Sequence, residues 1–153
     1  MTRNELINKL KENFDIRELV CPHCYNKFGE GSWQFISTKL LSVLYTLRYE
    51  IFKAPITINN YHQNGNFDER GLRCNRCSLV SSKTTVYLSA HLLGKGIDFN
   101  VKNKTSNEVS ITIKHNLDKF KYPIRLEKNT NGWTHIDVYQ PVDSETILVE
   151  FNG

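Results

Sequence analysis

Two short stretches of this chain gather side chains able to bind a metal and move protons. The first is Ser89-Ala90-His91-Leu92-Leu93-Gly94-Lys95-Gly96-Ile97-Asp98-Phe99, and the second is Trp133-Thr134-His135-Ile136-Asp137-Val138. In a strand, Ile97 and Phe99 enter the core while Asp98 points to the opposite face. A carboxylate fixed between two buried apolar neighbours needs a partner. Gly94 and Gly96 allow the backbone to turn between His91 and Asp98, so the two converge. In the second stretch Trp133, His135 and Asp137 share one face, and Thr134, Ile136 and Val138 share the other. Two histidines and a carboxylate with an open fourth position make a catalytic zinc set. Each histidine taken singly also fits a local hydrogen-bonding role.

The four cysteines form two pairs, Cys21-Pro22-His23-Cys24 and Cys74-Asn75-Arg76-Cys77. Two C-x-x-C knuckles suit one tetrahedral structural zinc, each giving two thiolates. Unmetallated core cysteines and disulfides are the competing readings. Residues 25–73, 49 positions, separate the pairs. That gap must be closed by the fold rather than by a hairpin.

The elements that position these residues follow from periodicity. Leu6, Leu10 and Phe14 predict a helix over Asn4–Phe14, and Leu40, Leu44, Leu47 and Ile51 predict a second over Ser37–Phe52. Ala54-Pro55 ends it, and Ile56-Thr57-Ile58 reads as a strand. Residues 59–70 read as a loop too polar for the core. A third helix is expected over Asn107–Phe120, capped by Ser106. Strands follow at Ile124–Leu126, Trp133–Tyr139 and Thr146–Phe151, with an Asn-Gly turn signal in residues 129–132. Helices first and strands last predict an α+β fold, with helices packed on a mainly antiparallel sheet. One domain over residues 1–153 is expected: an N-terminal helix and cysteine knuckle (1–34), then a core (35–153).

Composition narrows the function classes. The 153 residues are 39% hydrophobic, 11% aromatic and 24% charged, which excludes a disordered chain. No apolar run reaches the roughly 18 residues of a membrane helix. The opening MTRNELINKL is too polar for a secretory signal, so the expected product is made in the cytoplasm. With 20 Lys+Arg against 16 Asp+Glu the net charge is +4, and the basic residues are scattered. The densest run, residues 114–121, reads as a solvated helix face, which argues against nucleic acid as a partner.

Ser89-x-His91-x-x-Gly94-x-Gly96-x-Asp98 resembles the S-x-H-x-x-G-x-A-x-D motif of zinc D-Ala-D-Ala carboxypeptidases and L-alanyl-D-glutamate endopeptidases, with Gly96 replacing the usual Ala. Gly71-Leu72-Arg73 is similar to the family's S-G-x-R segment, with Arg70 where Ser is usual. Trp133-x-His135-x-Asp137 resembles the H-x-D ending of phage-type members. The resemblance covers roughly residues 35–140. It implies the Hedgehog/D-Ala-D-Ala-peptidase fold, a catalytic zinc on His91, Asp98 and His135, and substrate held by Ser89 and Arg73. It further implies hydrolysis of peptidoglycan peptides by a phage lysis enzyme, released onto the wall or carried in a virion beside virion proteins. Gly132 stands where many relatives carry an acid, so Asp137 is the first choice of general base and Glu127 the second. The alternative is a non-catalytic metal-binding virion protein of the same fold.

Overall fold

The structure, a computed structural model, describes residues 1–139 and 145–153. Helix α1 (Arg3–Leu10) opens with a capping box in which the Thr2 hydroxyl accepts from the Glu5 N–H and the Glu5 carboxylate accepts from the Thr2 N–H. It is shorter than expected, and Phe14 reaches the core from the following turn. Asp15 caps the short α2 (Ile16–Leu19). Then α3 (Pro22–Phe28) starts at Cys21 with Pro22 in its first turn, where the missing N–H costs nothing.

Helix α4 (Thr38–Tyr45) packs on α1 and continues as a π-helical stretch, Thr46–Phe52. The sequence predicted one uninterrupted α-helix there. The wider π turns rotate the apolar stripe, so Leu40, Leu44 and Leu47 are buried but Ile51 only half-buried.

The sheet has five strands in the order β1-β2-β4-β3-β5: β1 (Ile56–Thr57), β2 (Gly96–Val101), β3 (Ile124–Lys128), β4 (Thr134–Asp137) and β5 (Leu148–Asn152). Only the β3–β5 pair is parallel. Between β1 and β2 lies the four-residue α5 (Ser78–Ser81). Between β2 and β3, α6 (Ser106–Lys114) packs on β4 and on the π-helical stretch. The expected helix to Phe120 stops at Lys114. Its cap is Thr105 rather than Ser106, and a 3-10 turn at Leu117–Lys119 then delivers Phe120 to the core.

Alternation gives the sheet two different faces. Ile97, Phe99, Ile124, Leu126, Ile136 and Val138 are all buried in one core, which also takes in Leu6, Leu10, Leu19 and Trp33 of the N-terminal segment. The other face carries Asp98, Arg125, Glu127, His135 and Asp137. The fold is therefore α+β with a mostly antiparallel sheet.

The gap between the cysteine pairs is closed by a parallel bridge between Val20 and Leu72. Leu72 N–H donates to the Leu19 carbonyl at 2.8 Å and Cys21 N–H to the Leu72 carbonyl at 3.0 Å. Gly71 makes this approach possible, since a Cβ there would sit 2.2 Å from the Leu19 oxygen.

The expectation of a loop too polar for the core fails at Asn59, which is wholly buried. Its side chain donates to the Val20 carbonyl at 3.0 Å and accepts from the Arg70 N–H at 2.9 Å. A buried amide is tolerated because these bonds replace water. No helix among the described residues is long and apolar enough to cross a membrane.

Candidate metal centres and the cleft

His91, Asp98 and His135 come together with one ligand atom each, all within 4.8 Å of one another. Antiparallel register does most of this, because Asp98 on β2 lies directly opposite His135 on β4. His135 Nδ1 is 2.7 Å from Asp98 Oδ1, and His91 Nε2 is 3.4 Å from Asp98 Oδ2. His91 Nδ1 lies 2.9 Å from the Gly71 carbonyl. A carbonyl only accepts, so Nδ1 carries a proton, and Nε2 is the nitrogen that faces Asp98. Gly96 sits beneath this cluster. A Cβ there would lie 2.9 Å from Ala90 Cβ and 3.3 Å from the His135 ring, so the position needs the smallest residue.

Asp137 takes a different place from the one expected. Its Oδ2 is 2.8 Å from His135 Nε2, the nitrogen facing away from Asp98. Both of its oxygens receive the Arg125 fork at 2.8 Å, and Oδ1 also accepts from the Tyr139 N–H. It is completely buried. A carboxylate so occupied orients the imidazole from behind and is not free to take a proton from water. The Glu127 carboxylate has no hydrogen-bond partner among the described residues, and it lines the cleft. Two residues along β3 from Arg125, which pairs with Asp137, Glu127 lies on the same face of the sheet.

The electrostatics follow the contacts. Burial opposes charge on Asp98, yet hydrogen bonds from His135 and His91 hold its pKa well below the carboxylate range. Asp137 is lowered as well, against its burial, by His135 and Arg125. His135, also desolvated, is raised to about 9 by Asp137 and Asp98. Without a metal it is an imidazolium bridging two carboxylates.

Arg73 stands beside the cluster, with Nη2 3.2 Å from Asp98 Oδ2 and Nε on the Glu69 carbonyl. The Ser89 hydroxyl is buried and has no partner among the described residues. These groups, with Arg70, Trp133 and Tyr139, line an open cleft of about 730 Å³. Every residue assigned to the catalytic set thus borders one cleft. Sequence reasoning missed Arg125. Its only signal was the odd-even alternation of Arg125 and Glu127 along β3.

The second cluster also differs from expectation. Its four ligand atoms within 4.8 Å belong to Cys21, His23, Cys74 and Cys77. His23 stands where Cys24 was expected, its Nδ1 3.7 Å from Cys74 Sγ and 3.9 Å from Cys77 Sγ. Cys24 is buried beside the cluster, near Cys21 and Cys74, but is not one of its four members, and burial pushes its thiol up to about 12. The signal for His23 lay inside the knuckle, two positions after Cys21, where a long imidazole reaches past the helix start. All four cysteines are free thiols.

Both donor sets fit a metal ion: a hard-to-borderline set of two imidazoles and a carboxylate, and a soft set of three sulfurs and an imidazole. Comparison with protein-family models, curated proteins and solved structures finds no match for this chain.

Proposed function

We infer that this protein is a zinc-dependent peptidase that hydrolyses peptide bonds of bacterial cell-wall peptidoglycan, of the D-Ala-D-Ala-peptidase type. The observation that carries the reading is the convergence of His91, Asp98 and His135 at the edge of a cleft that also presents Arg73, Ser89 and Glu127. Three protein ligands and an open side are the arrangement of hydrolytic rather than structural zinc.

His91 Nε2, an Asp98 oxygen and His135 Nδ1 would hold the ion. When bound, zinc supplies Lewis acidity, polarising the scissile carbonyl and bringing the pKa of a water toward about 7. Asp137 keeps His135 in the tautomer that offers Nδ1, by accepting from Nε2. Arg73, with Nε and one Nη2 hydrogen already engaged, retains guanidinium N–H groups for a substrate carboxylate. The unpartnered Ser89 hydroxyl supplies a further hydrogen bond to the peptide. Glu127 accepts the proton of the attacking water and delivers it to the leaving amine.

The test is digestion of purified peptidoglycan, followed by the appearance of new amino groups. Hydrolysis should stop with a chelator, return with added zinc, and be absent in His91→Ala that remains folded. Cleavage indifferent to metal removal overturns the mechanism. Zinc binding with no cleavage of any wall preparation would leave the metal-binding virion protein in its place.

A further inference from the structure

The second cluster lies outside the cleft, at the junction of the N-terminal helices and the segment carrying Arg73, and three observations there point to a bound ion. The first is the meeting of four soft or borderline donor atoms within 4.8 Å, drawn from segments some fifty residues apart. The second is the backbone of the second knuckle. The Arg76 N–H donates to Cys74 Sγ and the Cys74 N–H to Cys77 Sγ, both at 3.4 Å. Amide hydrogens aimed at sulfur stabilise thiolates, which are the form that ligates metal. The third is the placement of Cys21, wholly buried, at the start of α3 and one residue from the Val20–Leu72 bridge. The bridge fixes the two knuckles side by side whether or not the cysteines are used.

We propose that Cys21, His23, Cys74 and Cys77 bind one zinc ion in a closed tetrahedral site of three thiolates and one imidazole, that the site is structural, and that Cys24 stays outside it. Four protein ligands leave no position for water, so the ion contributes folding free energy and no chemistry. Binding expels the thiol protons to solvent, and three thiolates with a neutral imidazole leave the site one negative charge. Softness selects zinc over magnesium or calcium, which take oxygen ligands. The ion sits one residue from Arg73 in sequence, so it pins the backbone that presents that guanidinium to Asp98. This proposal is independent of the peptidase reading.

Cobalt is the probe, used in the full-length His91→Ala protein so that the sheet cluster is disabled. One equivalent should bind, with the visible bands of a tetrahedral ion and near-ultraviolet charge transfer from sulfur. Cys24→Ser should leave that spectrum unchanged. His23→Cys should raise the charge-transfer intensity by about a third, from three thiolates to four, and Cys77→Ser should lower it. Should the variants fail to fold, X-ray absorption of the zinc-loaded His91→Ala protein counts the neighbours directly, and three sulfurs with one nitrogen are expected. Four sulfurs, or loss of sulfur intensity in Cys24→Ser with His23→Ala unaffected, would overturn the ligand set. No bound cobalt, or cysteines recovered as disulfides, would overturn the site.

Discussion

His91, Asp98 and His135 are held by a sheet, whereas Cys21, His23, Cys74 and Cys77 are held by turns. At the sheet, ladder register sets Asp98 against His135, charged partners behind His135 (Asp137, Arg125) lock its ring, and the Gly71 carbonyl holds His91. At the turns, one bridge and a few amide hydrogens do the positioning, and His23 remains exposed to solvent. The sheet cluster is therefore preorganised in hard charges and opens on a cleft. The turn cluster is soft and, with the ion proposed for it, would be closed. Preorganisation of this kind favours chemistry, and closure around an ion favours a role in folding.

The comparison breaks most sharply if the carboxylate shared by both histidines of the sheet cluster is removed. Asp98→Ala should abolish metal binding at the sheet cluster and reduce wall hydrolysis to background, because Asp98 touches His91, His135 and Arg73 at once. Metal content should fall by one equivalent and not two. Loss of both ions from a folded variant would show that the clusters are not separate.

Asp137→Asn tests the charged partners behind His135. Its expected cost is about 10–100-fold in metal affinity at the sheet cluster, measured by competition with a chelating dye, with the turn cluster unaffected. Equal affinity would return Asp137 to a merely structural pairing with Arg125.

Arg73→Lys should lower kcat/KM by about tenfold or more, since a lysine cannot make both the Glu69 and Asp98 contacts and still offer a fork to substrate. Unchanged kinetics would assign Arg73 to bracing the loop.

Acidity separates the clusters next. A metal must displace the proton on His135 Nδ1, whose pKa without metal is about 9. Affinity at the sheet cluster should rise by about tenfold per pH unit between roughly 6.5 and 9 as that one proton becomes easier to remove. The folded pKa lies above the unfolded value of roughly 6.5, so in the metal-free protein the imidazolium stabilises fully below that value. That contribution is lost as pH rises through 9, and denaturant titrations across this window measure it. A flat profile would contradict the double-carboxylate bridge.

The smallest expected effect is at Thr134, whose buried Oγ1 has no partner among the described residues. Thr134→Val should be neutral or stabilise by up to about 1 kcal/mol, because it removes an unpaid desolvation. A loss beyond that range would reveal a partner for the hydroxyl.

What could be read from the chain divides along the same line. Asp98 was legible because Ile97 and Phe99 alternate around it, and His135 because a two-residue period carries Trp133 and Asp137 to one face. The β-strand period is local, so sequence alone reveals it. Arg125 behind Asp137, Glu127 at the cleft and Asn59 under Val20 depend on which strand or turn lies next to which. No local pattern encodes that adjacency. For Asp137 its face was legible, but not the guanidinium of Arg125 that engages both its oxygens. His23 was passed over because the C-x-x-C spacing accounted for the knuckle without it. The D-Ala-D-Ala-peptidase resemblance points to His91, Asp98 and His135, which the fold brings together, and it says nothing about the cysteines.

The Val20–Leu72 bridge also has a consequence in time. Synthesis at roughly 5–20 residues per second brings the second knuckle out of the ribosome several seconds after the first. Throughout that interval Cys21 and His23 exist as half a site, with Cys24 beside them and two positions on any captured ion left to water or to a stray ligand. Closing a loop of this length costs about 3–4 kcal/mol of chain entropy before any contact repays it. In the zinc site proposed above, the pairing of Leu19 with Leu72, permitted by the bare backbone of Gly71, is the contact that brings the second pair of donors to the first.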